Sequence, residues 1–181
     1  MYITWNINER HGLRVLLAPL TITGSGVPGE PIDFTGESFA AGEDSDAVYR
    51  FNSWRLTYRY KFRRSGRLQM WIGFSAKIRD AKIELMQEGL SARKTDVGFV
   101  PLLHFRAEYR LAEKWILALD ADALAGGPGR AEDASLKFHY RPGSRWELSA
   151  GYRTIEGGAD VDEVYNFAWL HYGVASLRLN F

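Results

Sequence analysis

The tightest constraint on this chain is a ten-residue stretch, SWRLTYRYKF at 53–62. It puts Trp54, Leu56, Tyr58, Tyr60 and Phe62 on one parity and Ser53, Arg55, Thr57, Arg59 and Lys61 on the other. Successive side chains of a strand point to opposite faces, so a period of two makes one face aromatic and aliphatic and the other cationic and hydroxylic. In a soluble sandwich the apolar face meets a second sheet. Here Trp and Tyr stand towards the ends of the apolar stripe, as they do where a strand crosses the two interfaces of a bilayer. The expectation is a strand with lipid on one side and a polar interior on the other.

The alternation returns along the chain. Ile3, Trp5 and Ile7 alternate with Thr4, Asn6 and Asn8, and 13–23 is a more apolar segment interrupted by Pro19. Proline has no N–H to give a ladder, so a bulge or break is expected there. In 68–85, Leu68, Met70, Ile72, Phe74, Ala76 and Ile78 oppose Gln69, Trp71, Gly73, Ser75, Lys77 and Arg79, with a change of phase near Asp80. Segments 97–110, 115–124, 134–140, 146–153 and 165–181 complete a set of nine.

The connections alternate too. Those after residues 8, 62, 111 and 140 are short and rich in Arg or Lys; those after 24, 85, 125 and 156 read as longer and are rich in Asp or Glu. Hairpins stacked side by side put odd and even turns at opposite ends. The fold class that follows is all-β, an antiparallel up-and-down transmembrane β-barrel of eight to ten strands, in one domain over 1–181. Bacterial single-chain barrels have even strand numbers. Nine segments therefore read as eight plus an accessory first strand, or as ten with the first lying before Met1. Residues 1–5 already read as strand, with no export signal ahead of them.

Composition then removes whole classes. A net charge of +1 offers no field to steer nucleic acid, and a chain with no cysteine has no disulfide, thiolate nucleophile or Cys-ligated metal. No apolar run approaches the roughly 20 residues of a membrane-spanning helix.

The inward parity collects Arg55, Arg59, Lys77, Arg79, His104, Arg106, Glu108, Asp120, Asp122, Asp133, Lys137, His139, Glu147 and Arg153 as a polar lumen network. An eight- to ten-stranded barrel is just wide enough to be filled by side chains or to hold one small ligand. The set is thus either a self-neutralising plug or the lining of a narrow conduit. Gly73, Gly98 and Gly151, of inward parity, would leave room for a conduit; Trp71, Leu102 and Arg106 would close it. The outward parity collects Trp54, Tyr58, Tyr60, Trp115, Tyr140, Trp146, Tyr152 and Phe181 as interfacial aromatics.

No catalytic set stands out. His171 takes the outward parity of Trp169, but Ser176 takes the opposite one and no nucleophile elbow is present. No cofactor or metal is called for either. The glycines at 24–26 and 126–129 lack the Lys-Ser/Thr of a phosphate loop, and Asp160, Asp162 and Glu163 lack the other ligands of an EF-hand. With Glu37, Glu43, Asp44, Asp46 and Glu156 they read as a solvated acidic surface. Two alternatives stay open: a lipid-modifying enzyme using His171, and a soluble lipocalin-like binder with its apolar residues around a cavity.

The last residues, LHYGVASLRLNF, end on Phe181 with Leu179 and Leu177 two and four places before it. This run resembles the C-terminal strand signature of bacterial outer-membrane proteins. With the alternating strands, the chain resembles the small outer-membrane β-barrel proteins as a class, of which the OmpW and OmpA types are members. YRFNSWRLTYRYKF, KIRDAKI, GFVPLLHF and EGGADVDEVYNF are similar to segments of such barrels that have no named activity. The resemblance implies a Gram-negative outer-membrane address, recognition of the last strand by the barrel assembly machinery, and outer-membrane lipid and lipopolysaccharide as neighbours. It leaves the activity open: the expectation taken from the residues is a structural or porin-like role without catalysis, and among the enzymes of the class lipid A would be the substrate.

Overall fold

The computed structural model describes residues 1–126, 129–161 and 164–180, with side chains described outside 126–129 and 158–168. Phe181, Asp162, Glu163 and the side chain of Asp160, all named above, lie outside the described residues. Twelve strands are seen: β1 (Tyr2–Asn6), β2 (His11–Ala18), β3 (Thr21–Gly26), β4 (Ile32–Phe34), β5 (Glu37–Phe39), β6 (Ser45–Ser65), β7 (Leu68–Gln87), β8 (Leu90–Arg110), β9 (Trp115–Gly126), β10 (Gly129–Tyr140), β11 (Trp146–Val161) and β12 (Val164–Leu179). No helix occurs among the described residues.

One sheet runs β1-β2-β6-β7-β8-β9-β10-β11-β12, with β3 also on β6, and β4 and β5 form a separate hairpin. Apart from the β3 to β5 excursion, each strand pairs with the next in sequence. The architecture is that of an antiparallel up-and-down β-barrel. Nine strands lie on the path, within the expected eight to ten. The break expected at Pro19 falls between β2 and β3, both of which pair with β6.

The acidic connections are shorter than the sequence predicts, because the strands are longer. β6 and β8 have 21 residues and β7 has 20, about twice the 9–11 that cross a bilayer. The expected loop at 87–96 is a tight turn at Glu88-Gly89, with Gly89 at φ 73° and β8 already under way at Leu90. In place of the loop at 156–163, β11 runs to Val161 and β12 starts at Val164. The longest expected loop, 24–46, holds the end of β3, the start of β6 and the β4–β5 hairpin. That hairpin turns through Thr35 and Gly36 at φ 52° and 87°, the double positive φ of a type I′ turn. Where both faces of a ribbon meet water, the alternation that marks a strand disappears.

The chain packs as two compact units. One comprises 1–3, 15–55 and 77–100. In it β3 pairs with the start of β6 from Thr21↔Arg50 to Gly26↔Ser45. Gln87 holds the Ala40 backbone at both ends, its Oε1 accepting from the N–H at 2.9 Å and its Nε2 donating to the C=O at 2.8 Å. Phe39 and Ala92 are buried there.

The second unit comprises 4–14, 56–76 and 101–181. Its ladders are continuous: β10 pairs with β9 from Gly129↔Gly126 to Tyr140↔Trp115, and β11 with β12 from Trp146↔Leu179 to Val161↔Val164. Strands β2 and β9 lie four places apart in the sheet, about 19 Å if it were flat. Arg14 Nη1 of β2 nevertheless donates to Asp120 Oδ2 of β9 at 2.7 Å. The sheet in this unit is curled, with the inward side chains meeting across the concave face.

Two glycines permit that curl, and here the structure corrects the sequence reading. A Cβ on Gly73 would stand 1.9 Å from the Tyr58 carbonyl oxygen, and one on Gly151 would stand 2.1 Å from that of Leu136. The space at these inward glycines is filled by the backbone of the neighbouring strand. They allow close approach and do not line a channel.

Candidate functional site

Burial in this chain is inverted. Among the described residues, those buried include Arg14, Arg55, Arg59, Lys77, His104, Arg106, Asp122, Asp133, His139 and Glu147, while Trp54, Leu56, Ile72, Phe74, Phe99, Leu103, Phe138 and Leu148 are exposed. The inward set follows from strict alternation: on β6, Ser53, Arg55, Thr57 and Arg59 are buried and Trp54, Leu56 and Tyr58 are not. Of the predicted network, Arg79, Glu108, Asp120, Lys137 and Arg153 are half-buried and the rest buried.

In the unit of 1–3, 15–55 and 77–100, Arg55 Nε donates to Ser53 Oγ at 3.3 Å and the Lys77 ammonium sits 5.2 Å from the Phe51 ring centroid. Arg79 pairs with Asp96, and Arg50 and Asn52 both donate to Asp80. Beyond the apolar stripe, the hydrogen bond from Lys82 holds the Glu84 carboxyl below its usual value. Burial pushes the Tyr49 hydroxyl up, with Arg79 opposing.

In the unit of 4–14, 56–76 and 101–181, His104, Arg106, Glu108, Asp120, Asp122, His139 and Glu147 join into one chain of ion pairs. Register places His104 opposite Asp122 and Arg106 opposite Asp120. Asp120 accepts from Arg14 and Arg106, and Asp122 accepts from Ser75 at 2.5 Å and pairs with His104 at 3.0 Å. Thr57 bonds Ser75 at 2.7 Å. Arg106 continues to Glu108 at 2.7 Å; Arg141 stands 3.7 Å from Glu108 and also bonds Glu147. Glu147 completes its shell with His139 at 2.8 Å and Arg178 at 3.1 Å. Arg153 clamps Asp133 through two bonds of 2.7 and 2.6 Å. Buried charges demand such partners, since a lone one costs several kcal/mol.

Sequence reasoning missed three members of this chain. Arg14 lies between buried Gly12 and Leu16 on β2, and Arg178 between exposed Leu177 and Leu179 on β12, so alternation marks both as inward. Arg141 opens a basic turn and so escapes the strand pattern, but the β10–β11 register, carried one step past Tyr140↔Leu148, sets it opposite Glu147. His104, Asp120 and Asp122 offer ligand atoms within 4.8 Å of one another, a metal-like spacing. Two guanidinium groups already neutralise these carboxylates, and a cation would have to displace them.

At the end of the same unit formed by the short turns lies a cavity of about 600 Å³, lined by both chain-terminal regions and by β6, β7, β8 and β11. Trp71 forms part of its wall, with the Lys61 ammonium 4.9 Å from the indole centroid.

The predicted interfacial aromatics among the described residues sit on the outer face. Trp54, Tyr58, Trp115, Trp146 and Tyr152 are exposed and Tyr60 and Tyr140 half-buried. Trp115 and Tyr140 form a ring pair at 4.9 Å, and Tyr58 and Tyr60 bond His11 and Arg10 through their hydroxyls. His171 is exposed and bonds Tyr152 Oη, with the Trp169 ring 4.6 Å away. In comparisons with protein-family models, curated proteins and solved structures, nothing matches this chain.

Proposed function

We propose that this chain is an integral outer-membrane β-barrel protein of a Gram-negative bacterium, without enzymatic activity, whose interior is held shut by ion pairs. The inverted burial carries this reading. A strand face of exposed Trp, Leu, Ile and Phe backed by buried Arg, Asp, His and Glu is stable where hydrocarbon is the outer solvent. Outer-membrane lipid and lipopolysaccharide are then its surroundings. The alternation of Leu177, Arg178 and Leu179 is the part of the last strand that the assembly machinery would read.

The cavity at the short-turn end supports a narrow-conduit reading as the second choice. The run of ion pairs from Arg14 to Arg178 favours the sealed form, and conductance in planar bilayers separates the two. A lipid-modifying enzyme finds less support, since the described partners of His171 are Tyr152 and Trp169. A soluble lipocalin-like binder would need a polar outside.

Refolding in detergent micelles tests the main reading. The unboiled protein is expected to run faster on a gel than the boiled one and to precipitate once detergent is removed. A band indifferent to heat, from protein that stays dissolved in plain buffer, would overturn it.

A further inference from the structure

The cavity holds an imbalance of charge. Six cationic side chains line it, Arg10, Arg59, Lys61, Arg64, Arg141 and Arg178, against three carboxylates, Glu9, Glu108 and Glu147. Each carboxylate is already taken: Glu9 by Arg64, Glu108 by Arg106 and Arg141, and Glu147 by Arg141, Arg178 and His139. Three cations remain without a carboxylate partner among the described residues. Arg10 donates to the Tyr60 hydroxyl and Lys61 lies over the Trp71 ring, both partners uncharged.

Arg59 is the decisive one. Only 9% of it is exposed, and its guanidinium has no hydrogen-bond acceptor among the described residues. Its strongest electrostatic neighbours are the cations Arg106 and Arg14, opposed by Asp120, which those two already engage. The sequence makes room for this head group: a Cβ on Gly12 would fall 3.3 Å from Arg59 Nε. Five N–H donors in a planar fork, nine-tenths buried, uncompensated and facing a polar void, are arranged to receive a planar or tetrahedral oxyanion.

We infer that this cavity is a binding site for a small phosphate-bearing solute, its phosphate held by Arg59 and Lys61 with Arg10 at the rim. A phosphoryl group brings up to two negative charges and three acceptor oxygens, close to the three unbalanced cations. A volume of about 600 Å³ exceeds a bare anion and is within the range of metabolite-sized ligands. The inference rests on the cavity and not on the membrane reading, and it holds whichever solvent surrounds the outer face.

Calorimetric titration of the refolded full chain tests it, with inorganic phosphate, glycerol 3-phosphate and uncharged glycerol as probes. Saturable binding of both phosphates and none of glycerol is expected, with Arg59→Gln weakening it at least tenfold and Arg59→Lys restoring part of the loss. Arg145→Gln removes an exposed cation from the same end without touching the cavity and should change affinity less than twofold. The β-sheet circular dichroism and cooperative melting of each variant report whether the fold is intact in either solvent, so a failed fold is not read as failed binding. No binding by the wild type up to millimolar phosphate, or equal losses for Arg145→Gln and Arg59→Gln, would overturn the assignment.

Discussion

Glu147 is the residue on which most of the interior converges. It is 2% exposed and accepts from His139, Arg141 and Arg178, three donors on three different segments. Glu147→Gln keeps the shape and removes the charge, leaving Arg178 without its counter-ion and Arg141 with only the more distant Glu108. Breaking a fully buried pair from one side costs about 3–5 kcal/mol, and here about 1–3 kcal/mol, because a third or more of each guanidinium side chain is exposed. The urea midpoint of the refolded variant should fall by an amount of that order, and an unchanged midpoint would show that Arg141 and Arg178 are compensated by solvent. Alternation alone placed Glu147 and His139 inside. It did not single out Arg141, which reads as part of a basic turn although the hairpin register sets it opposite Glu147, or Arg14 of β2, whose neighbours are mostly aliphatic and which pairs with Asp120.

Among the elements, the strands were legible only where one face is oily. The register of β9, β10 and β11 through 115–153 follows the alternation closely, since a slip of one residue would turn every charge outward. Above the apolar stripe Ser91, Arg93, Lys94, Thr95 and Asp96 are all exposed, so pattern gave way to a loop reading although β8 continues through them. The glycines were misread for a related reason: parity assigns a face and says nothing of how near the next strand comes. Gly73→Ala forces the backbone of β6 to move, at a cost of about 1–3 kcal/mol. Gly98→Ala meets only the flexible Arg79 head group at 3.2 Å and should stay within about 0.5 kcal/mol. Comparing the two by the temperature at which the compact gel band is lost checks this, and equal effects would refute the account of the curl.

For the whole molecule the question is which solvent touches the outer face. Phe74 is 67% exposed and lies between Ile72 and Ile78 on β7. With hydrocarbon outside, Phe74→Arg costs about 2–4 kcal/mol; with water outside, it should be neutral and improve solubility. Unfolding of the variant in lipid vesicles and its behaviour in plain buffer give opposite answers under the two readings. Strands about twice the length of a bilayer crossing carry a further consequence. A peptidase must draw several residues of slack backbone into its cleft, and an antibody that prefers a floppy tip gains affinity by freezing it. The ribbons of β6, β7 and β8 keep their hydrogen-bonded ladders far past the oily stripe and offer neither. To anything probing from that side, β7 and β8 present stiff struts joined by a turn of only two residues, Glu88 and Gly89.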